Sequence, residues 1–535
     1  NLLGTLRCRT YPSRRCKVLR LRRSLACLSL AEERNSKLIL PHLGSCGVLL
    51  RQIGLTRCMN APRDLPGEAH LGKKVSVRLH SPQMDQESSR PGFRDILGHL
   101  ETPTSIRKKS GELVNFDPSE IALWKVVENT EIGTGLSLFN TQANQVEEIY
   151  ARVGRRVHIY CCGPTVYRDA HLGNLRTFLL PDLVSRILEF DGFKPVVIQN
   201  ITDVGHMSED FREDKLLGEA VKTSRDPFEI AREFEEKFFA DQRALNINPA
   251  QTSPRASESI SLMQEMIASL IASENAYVAD DGSVYFSAES FNHYGAVSGN
   301  KLESLKPGHR YEYSDEGGKR FHADWALWKS AGERKMMIWT SPWGAGFPGW
   351  HIECSAMSMH YLDGRVDLHI GGIDLRFPHH ENERAQSNSI AHREVVHHWL
   401  HGEHLLFEGK KMAKSSENVI LIRDVVAKGY DPLSVRLAFM ETRYRKQMDL
   451  TWDALKAADT TIKRWRLKVS QWNSLEVDVS KECEEILAII RKDLDLPRAI
   501  VKLRSIERDE SIPTEKRRAI FLTLDRILGL DLARG

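Results

Sequence analysis

The stretch Phe377-Pro378-His379-His380-Glu381-Asn382-Glu383 puts an imidazole and a carboxylate four residues apart, at 379 and 383. On a helix two such side chains share one face, and a nitrogen and an oxygen donor so placed suit zinc. Cys354 lies 25 residues upstream, and Cys162 follows an apolar run in the first third of the chain. Each has a plainer use as well. A His–Glu pair at this spacing is common on surfaces, and a lone cysteine is common in a core. The spacing matches no closed zinc-finger pattern, so it does not by itself bring the four together.

Two other places could handle phosphate. His171-Leu172-Gly173-Asn174 stands where a helix should begin, and the free N–H groups of a helix start attract anions. Lys411-Met412-Ala413-Lys414-Ser415 puts two lysines three apart in a Ser-rich loop. Such a pair can close over a triphosphate and offset charge as it is attacked. A solvated basic turn would have the same composition.

The elements that must position these residues are readable. Val157 to Cys161 is an apolar strand, followed by the turn-rich Cys162-Gly163-Pro164-Thr165-Val166-Tyr167. Leu175, Phe178, Leu179, Leu183, Ile187 and Leu188 recur at helical spacing, Gly192 ends that helix, and Pro195 to Ile198 is the next strand. This is a βαβ unit. In such α/β folds ligands sit beyond the carboxyl ends of the strands, which is where His171 and Asn174 fall.

Bulk properties set the frame. With about 150 residues per domain as a guide, 535 residues give room for three or four domains. The net charge of +3 is no polycation, so a nucleic-acid partner would need a local basic face. No apolar run reaches the roughly 18 residues of a membrane span. Five of the nine cysteines lie in the first 58 residues, and the other four are too sparse for a disulfide framework, which points to a reducing compartment. Residues 1 to 30 carry eight Arg or Lys and no acid, as a transit peptide does. The chain opens on Asn1 and its first Met is Met59, so an untranslated stretch joined to the frame explains this segment equally well. Residues 60 to 135 mix Pro, Gly, Ser and charge around one amphipathic piece, Phe93 to Leu100, and read as a poorly ordered extension.

From Leu136 onward the chain resembles the cysteinyl-tRNA synthetases, class I aminoacyl-tRNA synthetases. The resemblance is carried by Cys162 to Tyr167, Asn200-Ile201-Thr202-Asp203, Ala276 to Asp280, Leu327-Trp328-Lys329, Ser341 to Gly346, Pro348 to Ser355 and Phe377 to Glu383. His171 to Asn174 and Lys411 to Ser415 are similar to the two signature motifs of the class, with Asn174 where the motif has His and Ala413 where it has Ser. Asn174 still donates hydrogen bonds but carries no charge. Val204-Gly205-His206 follows where the family commonly has Asp-Asp-Lys, which looks like a variant subgroup.

The resemblance implies an α/β, Rossmann-type nucleotide-binding core over 136–425 with a connective insertion at about 204–345, then a helical tRNA-contacting region over 426–535, shorter than is usual in the family. It implies one Zn²⁺ on Cys162, Cys354, His379 and Glu383, with Thr202, Trp350 and His369 around the substrate cysteine. It places ATP, with Mg²⁺, against His171, Gly371, Gly372, Asp374 and Lys414, and gives catalysis to His171, Asn174, Lys411 and Lys414. The implied reaction is activation of L-cysteine by ATP and transfer to tRNA(Cys), without a membrane and in the cytoplasm, or in an organelle if the Arg-rich start is a transit peptide. Two other readings keep some of the same residues: a ligase that gives cysteine to a small amine, and a non-catalytic zinc or tRNA-binding protein.

Overall fold

The computed structural model describes residues 65–67, 70–84, 91–108, 110–126, 131–152, 154–205, 215–305, 318–412 and 418–534. The Arg-rich start and Ala413, Lys414 and Ser415 lie outside the described residues. The chain divides into two compact units, residues 1–128 and 129–535.

The described part of the first unit is an antiparallel sheet. Its strands are β1 (Lys74–Met84), β2 (Pro91–Thr102), β3 (Ser105–Arg107), β4 (Leu113–Asn115) and β5 (Ile121–Val126), in the order β4-β3-β2-β1-β5. A poorly ordered extension is therefore not what residues 74–126 form. Val75, Val77 and Leu79 alternate along β1, and Ile96 and Leu100 sit on the matching face of β2. With Ile106, Phe116 and Ile121 they make a small core of their own. The piece Phe93–Leu100 lies within β2, where Ile96, Gly98 and Leu100 are buried and Leu97 and His99 face solvent.

The second unit opens with the hairpin β6 (Ile132–Asn140) and β7 (Gln145–Ala151) and continues into β8 (Arg156–Cys161), α1 (Leu172–Phe190) and β9 (Lys194–Gln199). Helices α2 (Lys215–Thr223), α3 (Pro227–Ala244) and α4 (Ile260–Ala272) follow, then an antiparallel sheet of β10 (Ala276–Val278), β11 (Val284–Phe286), β12 (Trp325–Ser330), β13 (Trp339–Ser341) and β14 (Gly344–Pro348). The chain then returns through α5 (Trp350–Tyr361), β15 (Leu368–Gly372), α6 (His379–Ala391) and β16 (Trp399–Gly402).

Strands β16-β15-β8-β9, in that order, pair in parallel. The chain goes from β8 to β9 on one side and reaches β15 on the other, so the strand order reverses at β8. A crevice opens beyond the carboxyl ends at such a reversal. Leu172, Leu175, Leu179, Leu183, Ile187 and Leu188 are buried where α1 covers this sheet.

A small sheet of β17 (Leu405–Phe407), β18 (Lys410–Lys411) and, beyond α7 (Ile422–Ala427) and α8 (Leu433–Met440), β19 (Met448–Leu450) carries Lys411. The helices α9 (Trp452–Gln471), α10 (Ser480–Ile490), α11 (Leu496–Arg508) and α12 (Thr514–Leu528) complete the unit. Arg436 of α8 is fully buried and binds Asp182 of α1 at 2.6 Å and the Leu245 carbonyl beyond α3 at 3.0 Å. It locks the helical region onto the nucleotide fold.

Candidate active site

Four donors converge at the crevice. Cys162 follows β8, Cys354 lies in the first turns of α5, and His379 and Glu383 share a face of α6. One atom from each lies within 4.8 Å of the others, and all four residues are buried. Cys162 Sγ is 3.7 Å from Cys354 Sγ and 3.5 Å from Glu383 Oε1, and His379 Nε2 is 3.1 Å from Glu383 Oε1. A tetrahedral zinc with Zn–S of about 2.3 Å and Zn–N or Zn–O of about 2.0 to 2.1 Å has S–S, S–O and N–O edges of about 3.8, 3.6 and 3.3 Å. The donor set fits that ion.

The electrostatics agree. Burial works against charge on Glu383, but His369 and His379 hold its carboxyl well below the ordinary range. Against the same burial, Glu383 and Cys354 push His379 up to about 10. Cys354, although buried, falls below the ordinary thiol value because the Cys162 thiol hydrogen-bonds to it and His379 is near, whereas burial pushes Cys162 well up. Anionic donors gather here, and a proton on His379 holds the place that a cation would take.

A layer of buried side chains backs the donors. His351 Nδ1 is 2.8 Å from His379 Nδ1, and His369 Nε2 is 3.0 Å from Glu383 Oε2. His380 Nε2 lies 3.4 Å from Cys162 Sγ, and its Nδ1 meets His401 at 2.8 Å. A second possible donor set, Cys162, His369, His380 and Glu383, shares two residues with the first. It offers one thiol where the first offers two. Sequence reasoning missed His351, His380 and His401; the doubled His379-His380 was the one available signal.

Gly163 shows why the turn after β8 takes this path. A Cβ there would stand 1.5 Å from the Asn200 carbonyl oxygen, so only glycine lets the ends of β8 and β9 come this close. The Asn200 side chain accepts the Gly163 N–H at 2.9 Å.

The crevice opens into a cavity of about 230 Å³ lined by Cys162, Trp350, Asn174, Gly372, Asp374 and Arg168, among others. Trp350 walls it beside the donors, its ring centroid 4.4 Å from that of His379. Thr202 is buried behind, donating to Glu353 at 3.1 Å. His369 does not line the cavity; it stacks on Trp399 and reaches the site through Glu383. Gly371 faces inward, where a Cβ would stand 2.5 Å from His380, while Gly372 lines the cavity. Of the two glycines only Gly372 is placed to approach a ligand.

At the other end of the cavity Asn174 lines the wall, and His171, which is not among the lining residues, caps α1. Its Nδ1 accepts the Asn174 N–H at 3.2 Å, and Asn174 Oδ1 accepts the His171 N–H at 3.3 Å. Burial and the Arg168 charge lower His171 to about 4, so the ring is neutral. With Nδ1 accepting, its proton is on Nε2, the nitrogen left to donate. Lys411 ends β18 and is exposed. Both flanks of the lysine loop touch α1: Ile420 O accepts the Leu172 N–H at 3.0 Å, and the Met412 methyl sits 3.3 Å from where a Gly173 Cβ would be.

The family model for the class I (C) tRNA synthetase catalytic domain matches residues 149–460. The chain is 43% identical over 326 residues to the cysteine–tRNA ligase of Thermus thermophilus, covering 61% of this chain and 67% of that one. It is 35% identical over 427 residues to the cysteine–tRNA ligase of Treponema denticola, covering 74% and 86%. Among solved structures, the LeuRS–tRNA–LeuAMS ternary complex of Agrobacterium radiobacter K84 aligns with a TM-score of 0.50 at 10% identity, over 71% of this chain and 84% of that one, which is a likeness of fold.

Proposed function

The chain belongs to the cysteine–tRNA ligases of the class I tRNA synthetase family, and from that premise we propose how its residues divide the work. Cys162, Cys354, His379 and Glu383 hold one Zn²⁺. The observation that carries this is the convergence of two thiols, an imidazole and a carboxylate within 4.8 Å in a buried corner. Zinc bound there would take the substrate thiolate and refuse serine's neutral hydroxyl, a distinction that shape alone makes only about 10- to 200-fold.

The remaining groups hold and align. Trp350 closes one side of the cysteine pocket. Thr202 and His369 support it from behind, and His369 does so by fixing Glu383. The cysteine carboxylate then attacks the α-phosphate of ATP and pyrophosphate leaves. His171 donates from Nε2 and Asn174 from its amide to phosphate oxygens. Lys411 and Lys414 offset the charge that builds in the transition state. Gly372 and Asp374 face the nucleotide, and Mg²⁺ accompanies its phosphates. The 3′-terminal ribose of tRNA(Cys) takes the cysteinyl group, and the helices from α8 to α12 contact the tRNA. No helix among the described residues is long and apolar enough to cross a membrane. We place the chain in the cytoplasm, or in an organelle if the Arg-rich start is a transit peptide.

The test is Cys354→Ser. Bound zinc and cysteine-dependent pyrophosphate exchange should be lost together, because a hydroxyl replaces a thiolate donor. Exchange at the unmodified rate in this variant would remove Cys354 from the site.

A further inference from the structure

We infer that Arg168 is a substrate-contacting residue of this enzyme: its guanidinium binds the polyphosphate of ATP and supplies the positive charge that Asn174 does not carry. The inference rests on the reading that this cavity takes ATP. Arg168 lies in the turn between β8 and the cap residue His171, and it lines the cavity together with Asn174, Gly372 and Asp374. Among the described lining residues it is the only cation, while two carboxylates, Asp169 and Asp374, line the same cavity.

Its sequence neighbour does not neutralise it. Asp169 is engaged by Arg423 at 2.9 Å, and Arg168 makes no ion pair among the described residues. The guanidinium sits over the Tyr167 ring, 5.2 Å from its centroid, and that buried ring serves as a shelf. Arg168 is half-buried, and its charge reaches His171, where it adds to burial in keeping that ring neutral.

A neutral His171 and a neutral Asn174 offer phosphate hydrogen bonds without charge. The Asn174 N–H is also taken by His171, so α1 presents one fewer free donor at its start. With Asp169 engaged by Arg423, a triphosphate entering beside Asp374 gains from a cation on the cavity lining itself, in addition to the lysines of the loop. A guanidinium meets phosphate oxygens with two parallel charge-assisted hydrogen bonds.

The experiment is cysteine-dependent pyrophosphate exchange, run without tRNA on the full chain and on Arg168→Gln, Arg168→Lys and the double variant Arg168→Gln with Asn174→His. We expect Arg168→Gln to lower kcat/KM for ATP by about tenfold or more, the size of one charge-assisted contact, with KM for cysteine unchanged. Arg168→Lys should recover part of the loss. Asn174→His should recover more in the Arg168→Gln background than it adds to the unmodified chain, since it restores a group that can be charged. ATP kinetics within about twofold of normal in Arg168→Gln would overturn the inference, as would equal damage to KM for cysteine. Normal exchange combined with slow single-turnover transfer from preformed adenylate would move Arg168 to an acceptor-strand phosphate and overturn the ATP assignment. No exchange in the unmodified chain would refute the reading of the cavity itself, apart from any effect at Arg168.

Discussion

Where the donor corner hides Cys162, Cys354, His379 and Glu383 at 5% exposure or less, the phosphate end leaves Asn174 and Lys411 in solvent. On the proposed reading the corner would tell a small side chain by one atom. Its donors must keep their distances before substrate arrives, so they sit among buried imidazoles that admit little movement. The phosphate end must admit ATP and release pyrophosphate. It works by charge and hydrogen-bond direction, which tolerate an open wall. The proposed roles thus put selectivity and rate at opposite ends of one cavity, and variants should separate them.

The largest effect should come from the corner, as in Cys354→Ser, where metal and activity go together. Next is Lys414→Ala. Loss of one preorganised charge from the transition state typically lowers kcat by about a hundredfold or more. Maximal exchange should fall that far, with cysteine affinity and zinc content unchanged. A change confined to cysteine affinity would break the division between the two ends.

A smaller effect should follow at Arg176, two residues beyond Asn174 on α1. Its buried guanidinium donates to the Glu403, His404, Arg443 and Lys446 carbonyls at 2.8 to 3.1 Å. Those carbonyls lie in the segments entering β17 and β19, the sheet that bears Lys411. Arg176 is therefore a positioning residue that sets the lysine hairpin against the start of α1. Arg176→Lys keeps the charge and loses the fork. We expect exchange kcat to fall about tenfold, the result of a small misplacement, with KM for cysteine and bound zinc unaltered. Zinc loss in this variant would show that the two ends are not separate.

The sequence made the catalytic unit legible because its chemistry sits in short contiguous blocks at strand and helix ends. His379 and Glu383 announced a shared helix face, and the resemblance added Cys162 and Cys354. The outer histidines were not legible, since His351 and His401 are single residues whose partners lie far along the chain. Arg168 was passed over for a related reason: nothing in its spacing says that the turn aims it into the cavity. The first unit was misread for another reason. β3 and β4 are only three residues long, and Ser76, Arg78 and His80 on the open face of β1, with Gly98 on the buried face of β2, masked the alternation of Val75, Val77 and Leu79. Composition outweighed period there, although period is the better guide to strands.

The smallest expected effect is on the pH dependence of activity, and it tests whether His171 works as a neutral donor. An ordinary histidine near 6.5 would gain charge as pH falls from 7 to 5.5. That charge on a phosphate-binding ring would alter kcat. His171 lies at about 4, from burial first and Arg168 second, so it stays neutral over that interval. Exchange kcat should change by less than about twofold between pH 5.5 and 7 on its account. Stability should behave differently. His397 and His398 also lie at about 4, again chiefly from burial. Between 6.5 and 4 the unfolded chain binds protons at these three rings and the folded chain does not, so their contribution to stability rises with pH and levels off above 6.5. Asp241, pushed up to about 6 by burial and Asp169, and His379, pushed up to about 10, act in the opposite direction, but His401, lowered to about 3 by burial, adds to the three rings. The urea midpoint should thus be lower at pH 5 than at pH 7, and His398→Phe should reduce the slope without changing exchange. A kcat inflection near 6.5 that disappears in His171→Asn would show that the ring is charged when it works, and the phosphate end would then carry more charge than its geometry implies.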